Sequence, residues 1–290
     1  MRTSFDAHEA RALVELLQPE RLTRVVDIGA NRLDEPPYAA MLSASLCHVT
    51  GFEPQPEALA ELQRTAGPHE TYLADAVGDG GRHRLHLCSL NGFSSLLEPD
   101  PEQLALLVDF SRLAAVEDSQ EIATTRLDDV AGIGPVDHLK IDVQGSELMV
   151  FRNARRVLAG ATSIQTEVGF HRLYHGQPGF AQVDLELRSQ GFVPHGLVAV
   201  KDWPLAPVQW AEPLQHTARH LVEADVLYVR DLARLEVLDD EQLRHLALVT
   251  HLLHGRHGVA LLAVRELHRR GSLPAGAEQR YRELALAGAN

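Results

Sequence analysis

Short apolar strands alternate with amphipathic helices from Val25 to Arg230, and this predicts an α/β fold with a mostly parallel sheet covered by helices on both faces. Acidic residues recur at the carboxyl ends of those strands, where sheets of this kind bind their ligands. Beyond Arg230 the strand pattern stops and helical spacing alone continues, which predicts a C-terminal helical appendage. The pattern divides the chain into a catalytic-type domain over 1–230 and a helical extension over 231–290.

The elements follow in order. Asp6 and Glu9 form a capping box, and Ala10, Leu13, Val14 and Leu17 repeat at helical spacing after it. The β-branched run Val25-Val26-Asp27-Ile28 is a strand broken by Gly29, and Pro36 and Pro37 open a helix running towards Leu46. A second strand runs from His48 to Phe52 and ends in Glu53-Pro54, with Pro56 starting the next helix. Thr71 to Val77 and Arg82 to Cys88 read as strands separated by glycines. The segment from Asn91 to Asp118 reads as irregular, then helical and acidic. Val136 to Val143 is the most apolar strand, followed by a helix over Ser146 to Leu158 and a strand over Ser163 to Val168. A helix from Gln182 to Gln190 is capped by Gly191, and strands over Phe192 to Val200 and Ala224 to Arg230 close the alternating region. Asp239 with Gln242 caps a helix carrying Leu243, Leu246, Val249 and Leu253, and two more helices follow.

Composition narrows the function. The chain has 290 residues, 45% of them hydrophobic, and a formal net charge of −13. That charge opposes a phosphate backbone, and the arginines are scattered among acids, so nucleic acid is not an expected partner. No apolar run reaches the ~20 residues that span a bilayer, and the N-terminus lacks a signal-peptide pattern. Two cysteines, Cys47 and Cys88, stand in no metal or redox spacing and are expected to be buried thiols of a cytoplasmic protein.

The strand ends carry the chemistry. Asp27 and Gly29 close the first strand, with Asn31 just beyond. Glycine lets a ligand approach the backbone, but Arg32-Leu33-Asp34-Glu35 follows instead of the further glycines that admit a pyrophosphate. Those acids suit a cation such as the sulfonium and ammonium of S-adenosylmethionine. Glu53, at the end of the second strand, suits ribose hydroxyls, and Asp75, after the third, lies where an adenine amino group would be. Each acid taken singly is equally a helix cap or a solvated loop charge; three along one sheet edge point to a nucleoside.

Six segments, VVDIGAN, GFEPQPEAL, GFSSL, TTRLDDV, VDHLKIDVQGSELMVFRNA and QTEVGF, occur in an order that resembles the FkbM family of methyltransferases. The resemblance implies a class I methyltransferase fold, S-adenosylmethionine as cofactor, and O-methyl transfer to a hydroxyl of a sugar, glycan or natural-product acceptor. The chain departs from the family where RLDEPPY replaces a glycine after DIGAN, and where Gln144 replaces a commoner glutamate.

An alcohol is a poor nucleophile near neutral pH, so a positioned base is expected. Asp142 is the first candidate, either as that base, as a cofactor contact, or as the partner of a structural pair with Lys140, which shares its strand face. Backbone amides of the turn at Gln144-Gly145 are expected to point towards the cleft. Glu167 and His171 are the alternatives. Trp203 and Trp210 read as packing or loop anchors, and His251, His254 and His257 as a solvated face, with no metal site. Metal assistance through Asp142 and a second acid, a homodimer through the helical tail, a non-catalytic cofactor-binding module and a nicotinamide-dependent oxidoreductase are the competing readings.

Overall fold

The computed structural model describes residues 7–31, 35–210 and 212–287; the capping residue Asp6 and loop residues Arg32, Leu33 and Asp34 lie outside them. The elements are, in order, α1 (Ala7–Leu17), β1 (Thr23–Ile28), α2 (Ala39–Ser43), β2 (Cys47–Phe52), α3 (Pro56–Thr65), β3 (Glu70–Leu73), β4 (Ala76–Val77) and β5 (Arg82–Cys88). Then come α4 (Pro101–Leu104), α5 (Phe110–Leu113), β6 (Val116–Thr125), β7 (His138–Ile141), α6 (Glu147–Arg152), α7 (Arg155–Gly160), β8 (Ser163–Gly169) and α8 (Phe180–Ser189). The chain closes with β9 (Phe192–Pro204), β10 (Arg219–Arg230), α9 (Asp240–Leu252), α10 (His257–Arg269) and α11 (Ala277–Ala287).

Seven strands form one sheet in the order β3-β2-β1-β7-β8-β10-β9. Strands β3, β2, β1, β7 and β8 are parallel, and β10 runs antiparallel to both of its neighbours. This is the mostly parallel class I methyltransferase sheet that the resemblance implied. The chain builds outward from β1 to β3 and then returns to β7 on the other side of β1. The crevice of such a sheet opens at that reversal, above the carboxyl ends of β1 and β7.

Strand residues alternate between two cores. Val26, Ile28, Leu139, Ile141 and Ile164 pack against α6, α7 and α8 through Leu148, Phe151, Leu158 and Leu187. On the opposite face Val25, Val49, Leu227 and Val229 pack with α1, α9, α10 and α11. Further along the strands that second face turns polar. Asp27 pairs in register with Lys140 and Lys140 with Gln165, while Asp225 lies opposite Glu167. The helices of the extension therefore cover the apolar half of the face whose other half carries the acids.

Several elements differ from the sequence reading, each for a local reason. The helix after Pro37 is only α2, because Ser45 adopts a left-handed φ of 56° and turns the chain into β2. The strand expected over 71–77 breaks before Asp75: β3 stays in the main sheet, and β4 leaves it to pair with β6. Strand β6 starts inside the segment from Asn91 to Asp118 that reads as ending in acidic helix, and continues through residues that read as no regular element; its acids are exposed strand positions in a second sheet of order β4-β6-β5. The single helix expected over 146–158 is two, α6 and α7, interrupted at Asn153-Ala154. Among the described residues, no helix is long and apolar enough to cross a membrane.

Candidate functional site

The loops after β1 and β7 are in backbone contact. Asp142 N–H donates to the Ile28 carbonyl at 3.0 Å, and Gly29 has φ +78°. A Cβ on Gly29 would stand 2.1 Å from the Asp142 carbonyl oxygen, so only glycine fits. Below it Asp27 is buried, accepting from the Tyr38 hydroxyl at 2.6 Å. Burial raises the Asp27 carboxyl above its ordinary pKa, and Lys140 and Tyr38 oppose the rise. The Lys140 ammonium lies 3.2 Å from Asp27 Oδ1 and donates to the Gly29 carbonyl at 3.3 Å. Burial works against its charge, but Asp27 and Asp142 outweigh that and keep it protonated. Lys140 thus ties the first loop down and makes its contacts with Asp27 and Gly29. Asn31 follows, half-buried, on the same loop.

Glu53 is buried at the end of β2, and its Oε1 accepts from the Gln55 amide at 2.8 Å. Burial raises its pKa, and the Gln55 hydrogen bond works against that. Asp75, between β3 and β4, is half-buried and accepts from the Thr125 hydroxyl at 2.9 Å. The Gln55 side-chain amide reaches Asn91 Oδ1 at 2.8 Å and so joins this edge to the segment after β5. That segment spans the crevice: Ser95 donates to the Gln144 carbonyl at 2.7 Å, and the Phe93 carbonyl accepts from the Tyr174 hydroxyl at 3.0 Å.

The carboxyl ends of β7 and β8 gather the remaining acids. Gln144 Nε2 donates to Asp142 Oδ1 at 2.8 Å and to Glu167 Oε2 at 3.1 Å. Asp142, Glu147 and Glu167 each bring an oxygen within 4.8 Å of the others. Glu147 Oε1 accepts from the amides of Val143 at 3.0 Å and Gly145 at 3.2 Å. Those turn amides, expected to face the cleft, are instead taken up by a side chain that the helix start places beneath them. Burial pushes the Glu147 carboxyl up to about 7. Glu167 is buried and paired with Lys201 of β9, and Glu223 of β10 lies 4.0 Å from the same ammonium. Burial holds Glu167 well above the ordinary carboxyl range, with Asp142 and Glu223 adding to the rise. Glu223 is pushed up to about 7, again by burial first. Sequence reasoning missed Lys201, Glu223 and the bridging role of Gln144; the only signal for the last was its departure from glutamate.

Other candidates lie apart. The buried His171 ring approaches the Gln103 carbonyl at 3.2 Å and packs edge-on to His220. Trp203 Nε1 donates to the Val108 carbonyl and Trp210 Nε1 to Asp109 Oδ2, so both brace the loop around α5. The three histidines read as a solvated face are not one. His251 is fully buried between Glu9 Oε1 at 2.8 Å and the Tyr281 hydroxyl at 2.9 Å, because α9 is enclosed by α1, α10 and α11.

The residues at the head of the sheet fit S-adenosylmethionine on two structural grounds. Gly29 leaves the β1 loop no room for a side chain beside Asp142, and Glu53 is a buried carboxylate whose hydrogen bond from Gln55, the one it makes among the described residues, leaves acceptor capacity for hydroxyls. Asp27, Glu53 and Asp75 stand along successive strands of that edge.

A family model described as the methyltransferase FkbM domain matches residues 27–194, more than half of the chain. No curated protein matches it. Among solved structures it is similar to the precorrin-6y C5,15-methyltransferase of Geobacter metallireducens GS-15, with 10% identity, 76% of this chain and 87% of that chain covered, and a TM-score of 0.35. It is similar to a 1,6-didemethyltoxoflavin-N1-methyltransferase of Burkholderia thailandensis bound to S-adenosylhomocysteine, with 13% identity, coverage of 79% and 80%, and a TM-score of 0.36. An antibiotic-related methyltransferase shares 12% identity over 79% of this chain and 97% of that one, with a TM-score of 0.35.

Proposed function

This chain belongs to the FkbM family of S-adenosylmethionine-dependent methyltransferases, and from that premise we propose that it methylates a hydroxyl of a sugar, glycan or natural-product acceptor. Membership replaces the nicotinamide reading. When bound, S-adenosylmethionine supplies an electrophilic methyl group on a sulfonium.

The protein's own part is alignment and proton removal. Asp27, Gly29 and Lys140 hold the first loop against Asp142, and Glu53 and Asp75 stand ready for the nucleoside hydroxyls and amine. Holding nucleophile, methyl and leaving sulfur in line contributes ~7–11 kcal/mol. The observation that supports a hydroxyl acceptor is the carboxylate group at the ends of β7 and β8. Asp142 and Glu167 are joined through Gln144, and burial keeps Glu167 avid for a proton. A hydroxyl must give up a proton to accept a methyl group, and an ionised carboxylate beside it is a base suited to take it.

The test is methyl transfer from radiolabelled S-adenosylmethionine to a panel of hydroxyl acceptors, sugars and polyketide-type alcohols, with amines as the contrast. Asp142→Asn is expected to lower kcat by about 10²–10⁴-fold while cofactor affinity stays near wild type. Transfer to amines alone would overturn the hydroxyl reading. Cofactor binding without transfer to any acceptor would favour a non-catalytic module.

A further inference from the structure

Gln144 sits at the centre of the carboxylate group, and every polar atom of its side chain is engaged. Its Nε2 donates to Asp142 Oδ1 at 2.8 Å and to Glu167 Oε2 at 3.1 Å, which uses both amide hydrogens. Its Oε1 lies 3.1 Å from the Tyr174 hydroxyl and shares that group's single hydrogen with the Phe93 carbonyl, and its backbone carbonyl accepts from Ser95 at 2.7 Å. The residue holds a left-handed φ of 52°, uncommon for a side chain of this size, and these four bonds hold it there. Only one orientation of the carboxamide works. Turned over, its oxygen would face two carboxylates.

Asp142, Glu147 and Glu167 have the oxygen donors and the spacing that a divalent cation takes. Two features of this chain replace such an ion. Glu147 is drawn down onto the Val143 and Gly145 amides, and the space between the other two acids is spanned by a neutral N–H donor. Resting on the hydroxyl-acceptor reading, we infer that Gln144 is a positioning residue that bridges Asp142 and Glu167 where a divalent cation would otherwise sit, and so keeps the acceptor subsite metal-free. A glutamate at this position has the same size and no hydrogen to donate. It would set a third carboxylate against the other two, and a cation would restore the balance.

The experiment titrates Mn²⁺ alone against the full-length protein and follows free Mn²⁺ by electron paramagnetic resonance. The wild type is expected to show no saturable binding below about 1 mM, whereas Gln144→Glu binds at least about ten-fold more tightly. Adding Asp142→Asn to Gln144→Glu should return binding to the wild-type level. Gln144→Ala, which opens the same gap without adding charge, is the second variant should the first fail to fold, and it too should gain Mn²⁺. Saturable wild-type binding that Asp142→Asn removes would overturn the inference. So would folded Gln144 variants that bind no more tightly than wild type. Calorimetry with S-adenosylmethionine on the same proteins separates the two claims: failure of the wild type to bind it sinks the methyltransferase reading, while the Mn²⁺ pattern judges Gln144.

Discussion

Lys140 shows what a residue's position reveals and what it hides. Lys140 and Asp142 share a strand face, but residues two apart along a strand are ~6.6–6.8 Å apart, whereas neighbouring strands lie ~4.7–4.9 Å apart. The register of β1 on β7 sets Asp27 directly opposite Lys140, so the ammonium pairs across the sheet. Strand ends are legible because a glycine or proline breaks a short apolar run, and Asp27, Glu53 and Asp142 were placed on that ground. Partners depend on register between strands distant in sequence, and so Lys201 and Glu223, brought to Glu167 by β9 and β10, were not foreseen. Glu53 offers the clearest test of a single residue. Removing a hydrogen bond to a charged group costs ~1–3 kcal/mol, so Glu53→Ala should weaken S-adenosylmethionine binding by roughly 5- to 150-fold in calorimetry. Unchanged affinity would mean that this carboxylate does not meet the ribose.

The turn between β7 and α6 shows how an element builds the site. Its length is set by Gly145 at φ +95° and by Glu147, whose carboxylate closes back on the two amides it follows. The motif around it was recognisable, but the direction of the amides was not, because an acid in a helix's first turn can equally face solvent. The second sheet was missed for a related reason: β6 is exposed over most of its length, so its sequence lacks the apolar alternation that marks a half-buried strand. Glu147 makes a pH prediction. Its folded pKa of about 7 lies above the ordinary value of 4.5, so its contribution to stability is present below that ordinary value and is lost as pH rises through 7. Glu147→Gln keeps an oxygen for the two amides and cannot ionise. Its melting temperature relative to wild type should therefore rise between pH 5 and pH 8, and Glu147→Ala, which cannot ionise either, should be less stable than Glu147→Gln by ~1–3 kcal/mol at both. A Gln–wild-type difference that ignores pH would show that burial does not strain this carboxylate.

At the scale of the molecule, the sequence pattern changes at Arg230, and the packing does not. Asp239 and Gln242 form the expected reciprocal cap on α9, which shows how much of a helix is written locally. What the helix rests on is not written locally. Leu243, Leu246 and Leu252 of α9 and Val259, Val264 and Leu267 of α10 are buried in one cluster with Leu13 and Leu17 of α1, Val25 of β1 and Val49 of β2. The buried contact of His251 with Glu9 and Tyr281 ties the first helix to the last. We propose on this basis that the extension is part of the methyltransferase domain's own core. Burying a leucine or valine contributes ~1.5–3 kcal/mol, so uncovering Leu13, Leu17, Val25, Val49, Leu227 and Val229, which share this cluster, forfeits an amount comparable to the ~5–15 kcal/mol by which a whole domain is stable. A chain ending at Arg230 is therefore expected to lack a cooperative thermal transition and to bind no S-adenosylmethionine. His251→Ala in the full chain, which removes the buried hydrogen bonds to Glu9 and Tyr281, should lower the melting temperature without abolishing cofactor binding. A fragment 1–230 that melts cooperatively and still binds the cofactor would show the opposite, that these helices are an appendage to a domain complete without them.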